Sequence, residues 1–141
     1  MGEITLSNEE MQRIRVVNNV TKVDVIDCVE TNDKIVFVIR KGFLGMAIGK
    51  DAKNLEKLRA LFKKGIRFVE FDQDEKQFIV NLFKPFQITN MTIEQVGEKV
   101  TAKVEVPQRD KSKIIGKNGK NVQLIRLLAK RHSSVEDIQI L

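Results

Sequence analysis

One apolar pattern occurs twice in this chain, at a constant offset of 67 residues, and it forces the fold into two small copies of one unit. Leu55, Leu58 and Leu61 mark one face of a helix, and Val122, Ile125 and Leu128 mark the same face again. Each run is entered through a short loop. The first reads Ala47-Ile48-Gly49-Lys50-Asp51-Ala52-Lys53-Asn54-Leu55, the second Ile114-Ile115-Gly116-Lys117-Asn118-Gly119-Lys120-Asn121-Val122. In 141 residues, two such units each lie near the lower size limit for an independent core.

The same order of elements is predicted around each loop. Ser7 and Glu10 form a capping box, and Leu6 and Met11 are placed as a hydrophobic staple. Met11, Ile14 and Val17 follow at helical spacing, which predicts a helix over residues 8–19. The Val- and Ile-rich runs 22–30 and 35–39, parted by Asn32-Asp33, predict a hairpin. A short helical segment over 43–48 leads into the first loop. The helix of Leu55, Leu58, Leu61 and Phe62 stops at Gly65, and 66–71 alternates as a strand. In the second half Asp74 caps a helix carrying Phe78, Ile79 and Leu82, which Pro85 stops. Strands are predicted over 86–96 and 99–106 around Gly97-Glu98, then 111–115 enters the second loop, and Ile138 and Ile140 lie in a last strand. The fold class is α+β, with two domains, 1–72 and 73–141, each a three-stranded sheet packed against helices. Nothing Gly/Ser- or Pro-rich separates the halves, and Asp72-Gln73-Asp74 is short. The two domains are therefore expected in a fixed relation, with their loops along one path.

The loops carry the chemistry. A helix amino terminus presents unsatisfied amides and a partial positive charge, so it attracts anions. Gly116 and Gly119 would let a nucleic-acid backbone approach without meeting a Cβ, while Lys117, Asn118 and Lys120 project toward phosphates and sugars. Ile115 anchors the loop or floors a groove for bases. Charge is distributed to match. Residues 40–67 and 109–131 each sum to +7, whereas the remainder of the chain sums to −8. Two basic blocks on an otherwise acidic chain, each coinciding with a glycine loop, are the footprint of a polyanion. In the first loop Ala52 stands at the second glycine position and Asp51 adds a carboxylate. Ala is a good residue for starting a helix, so that loop is expected to fold and to grip phosphate less tightly.

The run Ile-Ile-Gly-Lys-Asn-Gly-Lys-Asn-Val and the helix-strand-strand-helix-helix-strand order resemble the KH domain of the type II variety, whose Gly-x-x-Gly loop clamps about four single-stranded nucleotides. Two such domains filling so short a chain resemble the archaeal NusA-like transcription factors across nearly its whole length. The amino-terminal polymerase-binding domain and the S1 domain of bacterial NusA have no counterpart in it. The resemblance implies a binder of single-stranded RNA, the nascent transcript, acting in transcription elongation, termination or antitermination. RNA polymerase is a further candidate partner. The candidate RNA-binding residues are Ile48, Gly49, Lys50, Asp51, Ala52 and Lys53 in the first unit. In the second they are Lys113, Ile115, Gly116, Lys117, Asn118, Gly119, Lys120 and Arg126. Two other readings stay open: a ribosome- or rRNA-associated KH factor, and a KH-fold module that docks on polymerase.

Other chemistries fit poorly. Gly45 to Asp51 is one residue short of a P-loop and has Asp51 in place of the Ser or Thr that binds magnesium. One His, His132, and one Cys, Cys28, lie far apart, so neither a metal site nor a Cys-His nucleophile is expected, and no cofactor or small-molecule substrate. Carboxylates fall at caps and turns, and no enzyme activity is expected. The eight Phe residues are expected mainly in the core, and Cys28 as a buried small hydrophobe. With no long apolar run and no basic start at the amino terminus, neither a membrane span nor a secretory signal is expected, and the location is expected to be cytoplasmic.

Overall fold

A computed structural model describes residues 4–141; the reading of the extreme amino terminus rests partly on Met1, Gly2 and Glu3, which lie outside the described residues. Two compact units are present, one comprising Thr5–Phe71 and the other beginning at Asp72. Each runs helix, strand, strand, helix, helix, strand, and each contains one three-stranded sheet. No helix among the described residues is long and apolar enough to cross a membrane.

In the first unit, α1 (Asn8–Thr21) opens with the predicted box. The Ser7 amide donates to Glu10 Oε1 at 3.0 Å and the Glu10 amide to Ser7 Oγ at 3.1 Å. The helix ends where Lys22 turns left-handed at φ 61° and its amide donates to Asn18 O. Residues 22–24 therefore leave a helix rather than begin a strand. β1 (Val25–Glu30) pairs antiparallel with β2 (Lys34–Ile39), which pairs in parallel with β3 (Gly65–Glu70). β2 is central, and Ile35 through Ile39 are fully buried. Val17, Cys28, Ile35, Phe37, Leu58 and Ile66 form the main core between the sheet, α1 and α3 (Lys53–Phe62). Burial pushes the Cys28 thiol up to about 12, which leaves it inert as a nucleophile.

Two predicted core positions lie outside this core. Met11 is exposed, while Arg13, two residues on, lays its guanidinium 5.2 Å from the Phe62 ring centroid. Leu61 is 55% exposed because Leu55, Leu58 and Phe62 already fill the inward stripe of α3. Its counterpart Leu128 is buried, in a longer helix that has α4 (Glu75–Phe83) against it.

Arg13 also holds Glu30, through Nε at 2.6 Å and Nη2 at 3.1 Å, and Lys64 completes the cluster. Hydrogen bonds from Arg13 and Lys64 lower the Glu30 carboxyl to about 2 from its ordinary 4.5. A depressed carboxylate contributes stability that is fully present above 4.5 and lost as pH falls through 2. The cluster is partly open to solvent, so the loss is on the order of 1 kcal/mol. Glu30→Gln should be less stable at neutral pH and should show a smaller further loss over that acid range, read by chemical denaturation at a series of pH values.

In the second unit the Asp74 carboxylate accepts from the Lys76 amide at 3.1 Å to cap α4. β4 (Asn90–Val96) pairs antiparallel with β5 (Lys99–Glu105), which pairs in parallel with β6 (Asp137–Ile140). Residues 86–89, predicted as strand, precede β4 instead, since Pro85 and the turn after it place the chain at the sheet only from Asn90. α5 (Lys111–Ile115) and α6 (Lys120–His132) flank the second loop, with Ile114, Val122, Ile125 and Leu128 buried beneath them. His132 is buried edge-on to Phe78, with ring centroids 6.0 Å apart, so it packs the core.

Candidate nucleic-acid interface

The second loop is a reversal made in four residues. α5 ends at Gly116 (φ 79°, ψ 169°), Asn118 turns left-handed at φ 57°, and Gly119 does so at φ 74°. Three backbone hydrogen bonds close it: the Gly116 amide donates to Ser112 O at 3.0 Å, the Gly119 amide to Gly116 O at 3.1 Å and the Lys120 amide to Lys117 O. A side-chain hydrogen bond acts as a latch. Asn121, in the first turn of α6, donates its side-chain amide to Ile114 O at 2.7 Å, satisfying a carbonyl at the end of α5.

This latch gives the two glycines different tasks. A Cβ on Gly116 would lie 2.9 Å from Asn121 Cβ and 3.0 Å from its backbone nitrogen, so this glycine is needed for the return of α6 itself. A Cβ on Gly119 would meet only Val122 Cγ1, at 3.9 Å. Its requirement is the left-handed backbone, and its open outer side is where a ligand backbone can come close.

The first loop repeats the construction between α2 (Leu44–Ile48) and α3. Gly49 has φ 82° and ψ 164°, Asp51 takes the left-handed place of Asn118 at φ 55°, and Asn54 donates to Met46 O at 3.2 Å. A Cβ on Gly49 would meet Asn54 at 2.9 to 3.0 Å. Ala52 differs from the expectation. It does not begin the helix but caps it in the left-handed region, at φ 59°, a conformation that disfavours residues with a Cβ by about 1–2 kcal/mol. Ala52→Gly should therefore raise the stability of this unit by roughly 0.5–1 kcal/mol, after the larger unfolded-state entropy of glycine is subtracted. Thermal denaturation measures this, and an unchanged or lower midpoint would contradict the strain.

Neither α3 nor α6 has a side-chain N-cap, and the Lys53 and Lys120 amides already donate to Lys50 O and Lys117 O. The dipole of each helix, whose start faces its loop, favours an anion there. Lys117, Asn118 and Lys120 are exposed around the second loop, Lys113 lies exposed on α5, and Lys50, Asp51 and Lys53 are exposed around the first. Ile48 and Ile115 are half-buried at the loop entrances. Arg126 has another occupation. Its Nε and Nη2 donate to Ile138 O at 3.2 and 2.9 Å, and Nε lies 3.1 Å from Asp137 Oδ1, so it ties α6 to β6. Among the sequence-read cations it is the lysines that stand at the loops. Sequence reasoning passes over Asn54 and Asn121 as functional positions, although the offset of 67 residues that marks the loops also relates these two asparagines.

Residues 9–83 match the KH domain family, and residues 75–140 match the NusA-like second KH domain. The chain is 34% identical to the probable transcription termination protein NusA of Methanococcus vannielii, over 97% of this chain and 79% of that one. It is 31% identical to the protein of the same name from Halobacterium salinarum, over 97% and 98% of the two chains. The one from Methanocaldococcus jannaschii is 28% identical over the whole of this chain and 77% of its own. The solved structure of a protein designated APE1850 is similar with a TM-score of 0.77 and 29% identity, covering 96% of this chain and all of that one.

Proposed function

The chain belongs to the archaeal NusA-like family of tandem KH-domain proteins, and from that premise we propose that it is a non-catalytic factor that binds single-stranded RNA during transcription. Each of its two domains, 1–72 and 73–141, contributes one helix-loop-helix clamp. The observation that carries the reading is the pair of latched loops, each ending in an uncapped helix amino terminus ringed by exposed lysines. Such a site suits the sugar-phosphate backbone of a flexible strand, since it offers a helix dipole and charge without bulk. Gly116, Lys117, Asn118, Gly119 and Lys120 form the stronger clamp. Gly49, Lys50, Asp51, Ala52 and Lys53 form the weaker one, because Asp51 sets a carboxylate where phosphate would lie. Ile48 and Ile115 floor the two entrances, and Lys113 extends the basic rim. The RNA is the nascent transcript in the cytoplasm, and the polymerase that extrudes it is the accompanying partner.

Titration of a single-stranded RNA at several salt concentrations tests this. Log affinity should fall linearly with log salt, by about 0.7 for each phosphate engaged, and the strand should bind better than its duplex. Salt-independent binding, or none, would sink the reading. Crosslinking in cells separates the biological settings: nascent transcripts support a transcription factor, mature rRNA a ribosomal one.

A further inference from the structure

We propose that Asn118 is a site of spontaneous deamidation, and that the conversion turns the stronger clamp into a copy of the weaker one. The loss of grip on RNA rests on the RNA-binding reading above; the modification itself does not. Asparagine is a thermolabile residue, and Asn118 is the only one in this chain followed by a glycine. In such a pair the Gly119 amide nitrogen attacks the Asn118 side-chain carbonyl carbon. A nitrogen–carbon bond forms, the bond from that carbon to the side-chain nitrogen breaks, and ammonia leaves with the proton. Water then opens the cyclic imide at either carbonyl, leaving aspartate or isoaspartate.

The surroundings favour this step at Asn118 over the same step elsewhere. Asn118 is exposed, and its side chain takes no part in the hydrogen bonds that close the loop. Gly119 puts no Cβ beside the attacking nitrogen, and the space a Cβ would fill is open to 3.9 Å. Lys117 and Lys120 stand exposed on either side, and their charge stabilises the oxyanion of the addition step. Asn32 and Asn90 are exposed as well, but Asp33 and Met91 follow them with side chains that hinder ring closure. Two restraints hold Asn118 back. The Gly119 amide donates to Gly116 O at 3.1 Å, and ψ 25° at Asn118 turns that nitrogen away from the side chain. The reaction therefore runs from an opened loop, and a strand seated on the loop slows it.

The first unit displays the product. Asp51 stands 67 residues before Asn118, with φ 55° and ψ 32° against 57° and 25°. Aspartate thus occupies this backbone without disturbing the reversal, so the converted chain keeps its fold. After conversion, residues 49–54 and 116–121 read alike except at Ala52 and Gly119. What changes is charge. One carboxylate appears between Lys117 and Lys120, where a phosphate is gripped. Isoaspartate goes further, because it adds a carbon to the main chain between Gly116 and Gly119.

The test incubates the full chain in warm, mildly alkaline buffer, alone and with saturating oligouridylate, and maps its peptides by mass. Asn118 should gain the mass of an amide-to-acid change well before Asn32 or Asn90, and bound RNA should slow the gain. Asn118→Asp should keep the parent's circular dichroism and bind oligouridylate roughly tenfold more weakly at low salt. That gap should narrow as salt rises, and the aged parent should lose affinity in proportion to its converted fraction. Conversion at Asn118 no faster than at Asn32 or Asn90 would overturn the modification site. Parent-like affinity of Asn118→Asp, or loss of its fold, would overturn the change of clamp. Absence of RNA binding by the fresh parent would overturn the RNA reading and the loss of grip with it, while the mass change at Asn118 would still decide the modification.

Discussion

Gly116→Ala should destabilise the second unit by about 3 kcal/mol and abolish most of its contribution to RNA affinity. Two effects add. At φ 79° and ψ 169° the residue occupies a backbone region essentially reserved for glycine, worth about 1–3 kcal/mol against any other residue. The new methyl would also stand 2.9 Å from Asn121 Cβ and 3.0 Å from its backbone nitrogen, neither of which can swing aside because both begin α6. The strain is released only by moving α6, and that breaks the Asn121 bond to Ile114 O. Chemical denaturation should show the loss, and amide exchange should place it in residues 111–132 while α1 and β1 to β3 keep their protection. Gly119→Ala, with 3.9 Å of room, should lose less, about 1–2 kcal/mol, from its left-handed backbone alone. Equal losses at the two glycines would refute the division of tasks between them.

The double change Lys117→Ala with Lys120→Ala should lower affinity for single-stranded RNA about a hundredfold at low salt and leave the fold intact. Each lysine is exposed and supports no part of the core, so removal acts on binding. A charge-assisted hydrogen bond to phosphate is worth about 1.5 kcal/mol, roughly tenfold in affinity for each. The slope of log affinity against log salt should shrink by about 0.7 per lysine removed. The matching pair Lys50→Ala with Lys53→Ala should cost less, because Asp51 already offsets part of the field there. Should the first pair matter more than the second, the loop built of Gly116 and Gly119 is the dominant clamp. A slope that does not change would show that neither lysine meets a phosphate.

Much of the fold is legible in the chain's local signals. The order of elements follows from periodicity and punctuation: Ser7 and Glu10 at a helix start, Asn32-Asp33 at a hairpin, Pro85 at a helix end. Each is written within a few residues of the structure it produces. Sequence reasoning fails where the outcome depends on residues distant in sequence. Leu61 has the right spacing for the core yet stands in solvent, because Phe62 reaches Phe37 first, with ring centroids 6.3 Å apart. Arg126 lies on the helix behind the clamp, yet its guanidinium is taken by Ile138 O and Asp137 on the last strand. Helix propensity does not govern Ala52, whose backbone turns left-handed before the helix begins.

The sequence by itself determined the repeat, the fold class, the two basic blocks and the positions of both loops. These rest on residue type and on spacing along the chain. The tertiary structure alone decided how the loops are built: Asn54 and Asn121 reaching back across the turn, and Gly49 and Gly116 kept bare to admit them. It also decided which cations face outward and which are spent on the neighbouring strand. The reason is physical. A loop's shape is set by hydrogen bonds and close approaches between segments brought together only by folding, and no spacing along the chain records a distance of 2.9 Å across a turn.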